Sequence, residues 1–182
     1  MSSISNYLNA LPRRVAEATL LRCCSSSRWA RRLAAQRPFS DDESLFHQAQ
    51  VVWEALDPRD WLEAFSGHPR IGERRPEGKA ADGTSTWSRQ EQSGVDKASY
   101  ETQLALHRGN VEYEQRFGHV FLICATGKSA QEMLSSLQER LAHAPQEELH
   151  IAASEQAKIT RLRLEKLLRD APPKTSPQEP PS

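Results

Sequence analysis

Apolar residues along this chain recur mostly at three- and four-residue steps, the spacing that lines one face of an α-helix. The clearest case runs through Leu45, Phe46, Ala49, Val52 and Trp53, and either Asp41 or Asp42 can cap its start. Asp57-Pro58 repeats the logic. An N-cap acid followed by proline at the first helical position opens a short helix through Trp61, Leu62 and Phe65. Upstream, Arg28 to Ala35 is rich in the helix formers Arg, Ala and Leu, and Pro38 stops it. Between Asp96 and Phe117, Tyr100, Leu104, His107, Val111 and Glu114 share one helix face. Two more helices are expected, roughly Ser129 to Leu141 and Gln146 to Arg169.

Three stretches break this rhythm. Val120 to Ala125 is a short apolar run that fits either a buried strand or an extended segment, and periodicity does not decide between them. Residues 73 to 87 hold Pro76, Gly78, Gly83 and several small or charged residues, which reads as a surface loop. From Ala171 onward there are five prolines in twelve residues, the composition of a disordered tail. The expected organisation is a helical domain over residues 1–170 and a Pro-rich tail over 171–182, with no internal repeat.

Composition narrows the function classes. With 182 residues, 37% of them hydrophobic, the chain suits one compact domain with a real core. Its 24 basic and 24 acidic residues cancel, leaving no global field to recruit nucleic acid or an anionic membrane. Arg28, Arg31 and Arg32 form a local basic stripe that reads as a solvated helix face. No apolar run approaches the roughly 20 residues a membrane helix needs. Cys23 and Cys24 are neighbours, poorly placed to bridge each other, and pairing either with Cys124 leaves an odd thiol. Arg13-Arg14 hints at export, but Glu17 interrupts the segment where an apolar region should run. The final residues carry no Ser-Lys-Leu-type address. A cytoplasmic location is the expectation.

The candidate chemistry gathers in His68-Pro69-Arg70-Ile71-Gly72 and, after the loop, Trp87-Ser88-Arg89-Gln90-Glu91-Gln92. Gly67 ends the helix before it and delivers His68 just past a helix C-terminus, which favours the imidazolium. Pro69 restricts His68 to extended backbone and so presents the ring rigidly. An imidazole and a carboxylate at the two ends of one loop suit acid–base work without a cofactor. Ser88-x-x-Glu91 also reads as a capping box at the head of a helix. Arg163 lies on an inward face beside Ile159 and Leu162, where a guanidinium needs an anion: either a substrate carboxylate or Glu155 eight residues earlier. Trp87 fits a pocket wall or simple packing. Cys124 lacks an indicated base to activate it. His47, His107, His119, His143 and His150 lack ligand spacing and read as structural or solvated. The chain contains no P-loop, dinucleotide fingerprint, His-Glu-x-x-His or Cys-x-x-Cys motif.

These residues also carry a resemblance. The two motifs around His68 and Glu91 appear in order with Cys23-Cys24 through Trp29, Arg37-Pro38-Phe39, Arg116-Phe117-Gly118, Phe121 through Ala125, and Glu155 through Leu164. Together they resemble the 2-oxo-4-hydroxy-4-carboxy-5-ureidoimidazoline (OHCU) decarboxylase family over roughly residues 5 to 169. The resemblance implies an all-α fold, in agreement with the helical pattern. It also implies cofactor-independent decarboxylation of OHCU to (S)-allantoin, the last step of urate degradation. His68 and Glu91 would be catalytic, and Pro69, Ser88, Gln92, Phe121, Leu122, Ile123, Cys124, Ala125 and Arg163 would contact substrate. No metal or organic cofactor is implied, because the substrate's own C=N can take the electrons released with carbon dioxide. A homodimer is implied as well. The rival readings are a decarboxylase or tautomerase for another small heterocycle, and a helical interaction module in which Ser88 and Glu91 only cap.

Overall fold

The structure is a computed structural model that describes residues 3–73, 84–95 and 98–167. Among the described residues the elements are α1 (Ile4–Ala10), α2 (Arg13–Cys23), α3 (Ser27–Ala35), α4 (Asp42–Glu54), α5 (Pro58–Ser66), α6 (Thr84–Glu91), α7 (Tyr100–Phe117), α8 (Ala130–Arg140) and α9 (Pro145–Lys166). All are helices, so the all-α expectation holds. The expected tail from Ala171 lies outside the described residues, as do positions 74–83 of the expected loop.

Local chemistry sets the helix starts. A backbone N–H in the first turn is taken up by Ser3 at α1, Ser26 at α3, Asp41 at α4, Ser99 at α7 and Ser129 at α8. At α8 Glu132 reciprocates, accepting from the Ser129 N–H at 2.7 Å. Proline occupies the first turn of α5 and α9, where its missing N–H costs no helical bond. Gly118, at φ 76°, caps α7 in the left-handed region and turns the chain into the segment that follows.

Two hydrophobic clusters make up the core. The larger draws on α1 to α5 and α9, with Trp29, Leu33, Leu45, Trp53 and Phe65 at its centre. The smaller lies between α7 and α8 around Leu106, Tyr113, Met133 and Leu137. Helix α9 packs against α2, α4, α5 and α7 and so connects the two. Residues 120–125 run between them as extended chain, outside any strand. Their side chains alternate as the period of two requires: Phe121, Ile123 and Ala125 enter the smaller cluster, and Leu122 the larger. This settles the strand-or-extended alternative in favour of an extended segment. Its position is fixed from the side, with Arg140 donating to the Leu122 carbonyl at 2.7 Å and the Cys124 N–H donating to Glu155 at 2.7 Å.

Several expectations need correction. Helix α6 begins at Thr84, inside the stretch read as loop, and it ends at Glu91. Ser88 and Glu91 therefore sit in its last turn and form no N-terminal capping box. Helix α7 starts at Tyr100, and its buried centre is Leu106, Asn110 and Tyr113, one step around from the predicted face; Tyr100 is 78% exposed. Helices α1 and α2 precede every element expected from the sequence, although Ile4, Tyr7 and Leu8 in α1 and Ala16, Leu20 and Cys23 in α2 keep helical spacing. At the turn after α6, a Cβ added to Gly94 would lie 2.2 Å from the Lys128 carbonyl oxygen, so two backbones touch where no side chain fits.

Candidate active site

His68 follows the Gly67 C-cap of α5, and its N–H donates to the Phe65 carbonyl at 3.0 Å. The segment it opens is anchored on three sides. Arg70 grips Glu114 of α7 with two bonds of 2.6 and 2.8 Å, Asn110 donates to the Ile71 carbonyl at 3.0 Å, and Gly72 N–H donates to Gln92 at 2.9 Å. Gly72 has a φ of +85°, which a side chain rarely allows. The predicted motif is thus a backbone clamp that delivers one ring, and Gln92 belongs to the clamp.

Across from His68, the i,i+3 spacing of Ser88 and Glu91 puts both side chains on one face of the last turn of α6. That face meets α9. Arg163, 3% exposed, donates from Nε to one Glu91 oxygen and from Nη2 to the other, both at 2.9 Å. Its Nη2 also reaches Ser88 Oγ at 3.4 Å, and Lys166 Nζ lies 3.9 Å from Glu91. The partner of Arg163 is therefore Glu91, and the alternative pairing with Glu155 is corrected. Glu155 binds the Cys124 N–H and, at 2.5 Å, Lys158.

His68, Pro69, Ser88, Glu91 and Gln92 surround one small cavity, whose far wall is Phe121, Leu122, Ile123 and Ala125. Its volume of about 10 Å³ is enough for roughly one water. Of the substrate contacts implied by the resemblance, Cys124 alone in that run does not line this cavity; burial pushes its thiol upward. Cys23 and Cys24 are likewise inert, with burial raising them to about 12 and about 11. Trp87 packs into the larger core, with the Arg22 guanidinium 5.2 Å from its ring centre.

Ile71 and Ile159 also face the cavity and were not anticipated. Nor was Gln156, fully buried on α9, whose Oε1 lies 2.8 Å from His68 Nε2. A signal for it exists in the sequence. Gln156, Thr160 and Arg163 are polar residues at i, i+4 and i+7 on a helix face otherwise filled by Ala152, Ala153, Ile159 and Leu164. Polar groups on such a face need a purpose. Among the remaining histidines, His143 hydrogen-bonds Glu148 at 2.9 Å, and His119 sits against Phe65 and Tyr113, where burial lowers its proton affinity.

An imidazole, a carboxylate held by a guanidinium, and a wall of extended backbone beside one small cavity are groups suited to hold a small anion and exchange protons with it. Comparison with known proteins points the same way. Residues 9–165 match the family model described as OHCU decarboxylase. The chain is 36% identical over 148 residues to the uric acid degradation bifunctional protein TTL of Arabidopsis thaliana, covering 81% of this chain and 46% of that one. It is 33% identical over 138 residues to the OHCU decarboxylase of Mus musculus, covering 74% and 75%. A crystal structure of OHCU decarboxylase in the presence of (S)-allantoin superposes with a TM-score of 0.70 at 38% identity, covering 82% of this chain and 96% of the other. The chain spans less than half the length of the bifunctional relatives it matches.

Proposed function

The chain belongs to the OHCU decarboxylase family, and from that premise we propose that it converts OHCU to (S)-allantoin and carbon dioxide. The observation that carries this reading is that His68 and Glu91 line one small cavity, with Arg163 paired to Glu91. In this scheme the substrate carboxylate takes over the planar fork of Arg163, for which a carboxylate is the matching anion. Glu91 is thereby released to exchange a proton. His68 orients the carboxylate and hydroxyl that share one ring carbon and assists proton transfer at the hydroxyl.

The bond that breaks joins that ring carbon to the carboxylate. Its electron pair forms a C=C bond to the neighbouring carbon, while the C=N electrons move to nitrogen, which takes a proton. The resulting enol loses its hydroxyl proton as the ureido-bearing carbon gains one from the Glu91 side. The net change is loss of carbon dioxide and uptake of one proton. Ser88, Gln92 and the backbone of residues 121–125 hold the ring so that one face alone is protonated.

The test is incubation with freshly generated OHCU, following circular dichroism. Accelerated appearance of (S)-allantoin is expected, because unassisted protonation supplies both faces equally and gives a racemate. A signal that grows no faster than in buffer would overturn the reading.

No helix among the described residues is long and apolar enough to cross a membrane. Three free cysteines suit a reducing compartment and support a cytoplasmic location. The family resemblance supports a homodimer, for which sedimentation analysis should give twice the 20.5 kDa chain mass.

A further inference from the structure

Gln156 of α9 reaches His68, and two hydrogen bonds in series set the orientation of its amide. The amide donates from Nε2 to Thr160 Oγ1, one turn further on, at 3.0 Å. That leaves the amide oxygen facing His68 Nε2 at 2.8 Å. An amide oxygen only accepts. The ring nitrogen opposite it must carry a hydrogen.

We infer that Gln156 is a positioning residue: it holds the His68 ring with its proton on Nε2, so that Nδ1 is the nitrogen that titrates. The inference rests on the reading above that His68 handles protons in the decarboxylation. Which ring nitrogen carries the proton is set by the bond the other partner makes, and a ring in the wrong tautomer has no lone pair where the reaction needs one. Glu91 lines the same cavity, paired with Arg163 and with Lys166 3.9 Å away. Gln156 adds no charge to that set and sets direction alone.

The first measurement needs no variant. In the ¹⁵N-labelled full chain, at a pH where His68 is neutral, Nε2 should give a pyrrole-like shift and Nδ1 a pyridine-like one. The reverse assignment would overturn the inference outright. Gln156→Met keeps the length and removes the acceptor. It should mix the two tautomers and lower kcat about ten- to a hundredfold, part of the ~10²–10⁴ a positioned acid–base group supplies, with KM little changed. Gln156→Glu restores an acceptor and adds a negative charge. It should recover most of the kcat and move the pH-rate limb assigned to His68 to higher pH. A merely structural role would move the melting temperature without moving that limb or the tautomer.

His68→Asn is the control that separates the two ideas. If it retains wild-type turnover, the assignment of His68 fails. If it is inactive while Gln156→Met keeps wild-type kcat, pH profile and tautomer, the positioning inference alone fails. Should Gln156→Met not fold, the wild-type tautomer and the pH limb of Gln156→Glu still decide.

Discussion

Helix α9 takes part in two buried arginine–glutamate pairs, and they are built in opposite ways. Near its start it supplies the carboxylate: Glu148, fully buried, receives Arg140 of α8 at 2.5 and 2.8 Å. Both Glu148 oxygens have further partners, the Tyr113 hydroxyl on one and His143 on the other. Arg140 spends its remaining fork on the Leu122 carbonyl and lies 4.7 Å from the Phe121 ring centre. Near its end, α9 supplies the guanidinium instead: Arg163 meets Glu91, which lines the cavity, with long contacts from Arg163 to Ser88 and from Lys166 to Glu91 besides. The first pair is saturated and sealed. The second has fewer bonds taken, and an incoming anion can displace Glu91 from Arg163, leaving Lys166, 3.9 Å away, to face the released carboxylate. Burial and pairing are nearly equal in the two, so what separates a structural pair from a working one is how many of its bonds are already taken.

Four changes probe this contrast. Arg140→Met should have the largest effect, because it leaves the fully buried Glu148 charge uncompensated, at a cost of about 3–5 kcal/mol. For a chain of this size that corresponds to a Tm loss of roughly 6–20 °C, read by calorimetry. A Tm close to wild type would erase the distinction. Glu91→Gln should act on turnover instead, lowering kcat by about 10²–10⁴ with a smaller Tm change, because the amide oxygen of glutamine still accepts from Arg163. Loss of product enantiopurity in that variant would place Glu91 at the protonation step.

Arg163→Lys keeps the charge and removes the planar fork. One charged hydrogen bond contributes about 1.5–3 kcal/mol, so KM for OHCU should rise about tenfold or more while Tm holds. Unchanged KM with lost stability would move Arg163 to the structural class. The smallest effect belongs to a half-buried pair of the same chemistry, Arg70–Glu114. Its hydrogen bonds to Arg70 hold Glu114 below the ordinary value of 4.5. A depressed carboxyl stabilises the fold above its unfolded pKa and loses that contribution as pH falls through the folded one. Glu114→Gln should therefore cost at most about 1 kcal/mol at neutral pH. The Tm difference from wild type should shrink below pH 4.5 and vanish in stronger acid. A difference that persists there would show that the pair acts through packing.

Helices with strong punctuation were legible in advance. Asp41, the Asp57-Pro58 pair and Gly67 each impose a local backbone choice that needs no tertiary information, and Gly67 correctly placed His68 beyond a helix end. Ser88 and Glu91 were legible as a pair and misread in position. A three-residue spacing is the same whether it caps a first turn or lines a last one, and the difference lies in Arg163, 72 residues away from Glu91. Resemblance supplied the importance of these residues; geometry supplied their partners. Gln156 stayed hidden because a lone glutamine on a long amphipathic helix looks like surface until the opposing elements are known. The run 120–125 could not be assigned because its two faces are both apolar, each filling a different core cluster, so alternation between apolar and polar residues never appears.

Gly94 binds nothing and contributes no side chain to either core, yet its place against the Lys128 carbonyl makes it one of the least replaceable positions of the molecule. The turn carrying it follows directly on Gln92, and the turn carrying Lys128 follows directly on Ala125. The width of the cavity between those two residues is thus set from outside, by how closely two surface turns approach. Even the smallest side chain at position 94 would act as a wedge. Tolerance to mutation in this protein consequently does not decline smoothly from surface to centre; it has a narrow minimum on the outside, at a point of backbone contact that a map of burial or of charge would pass over.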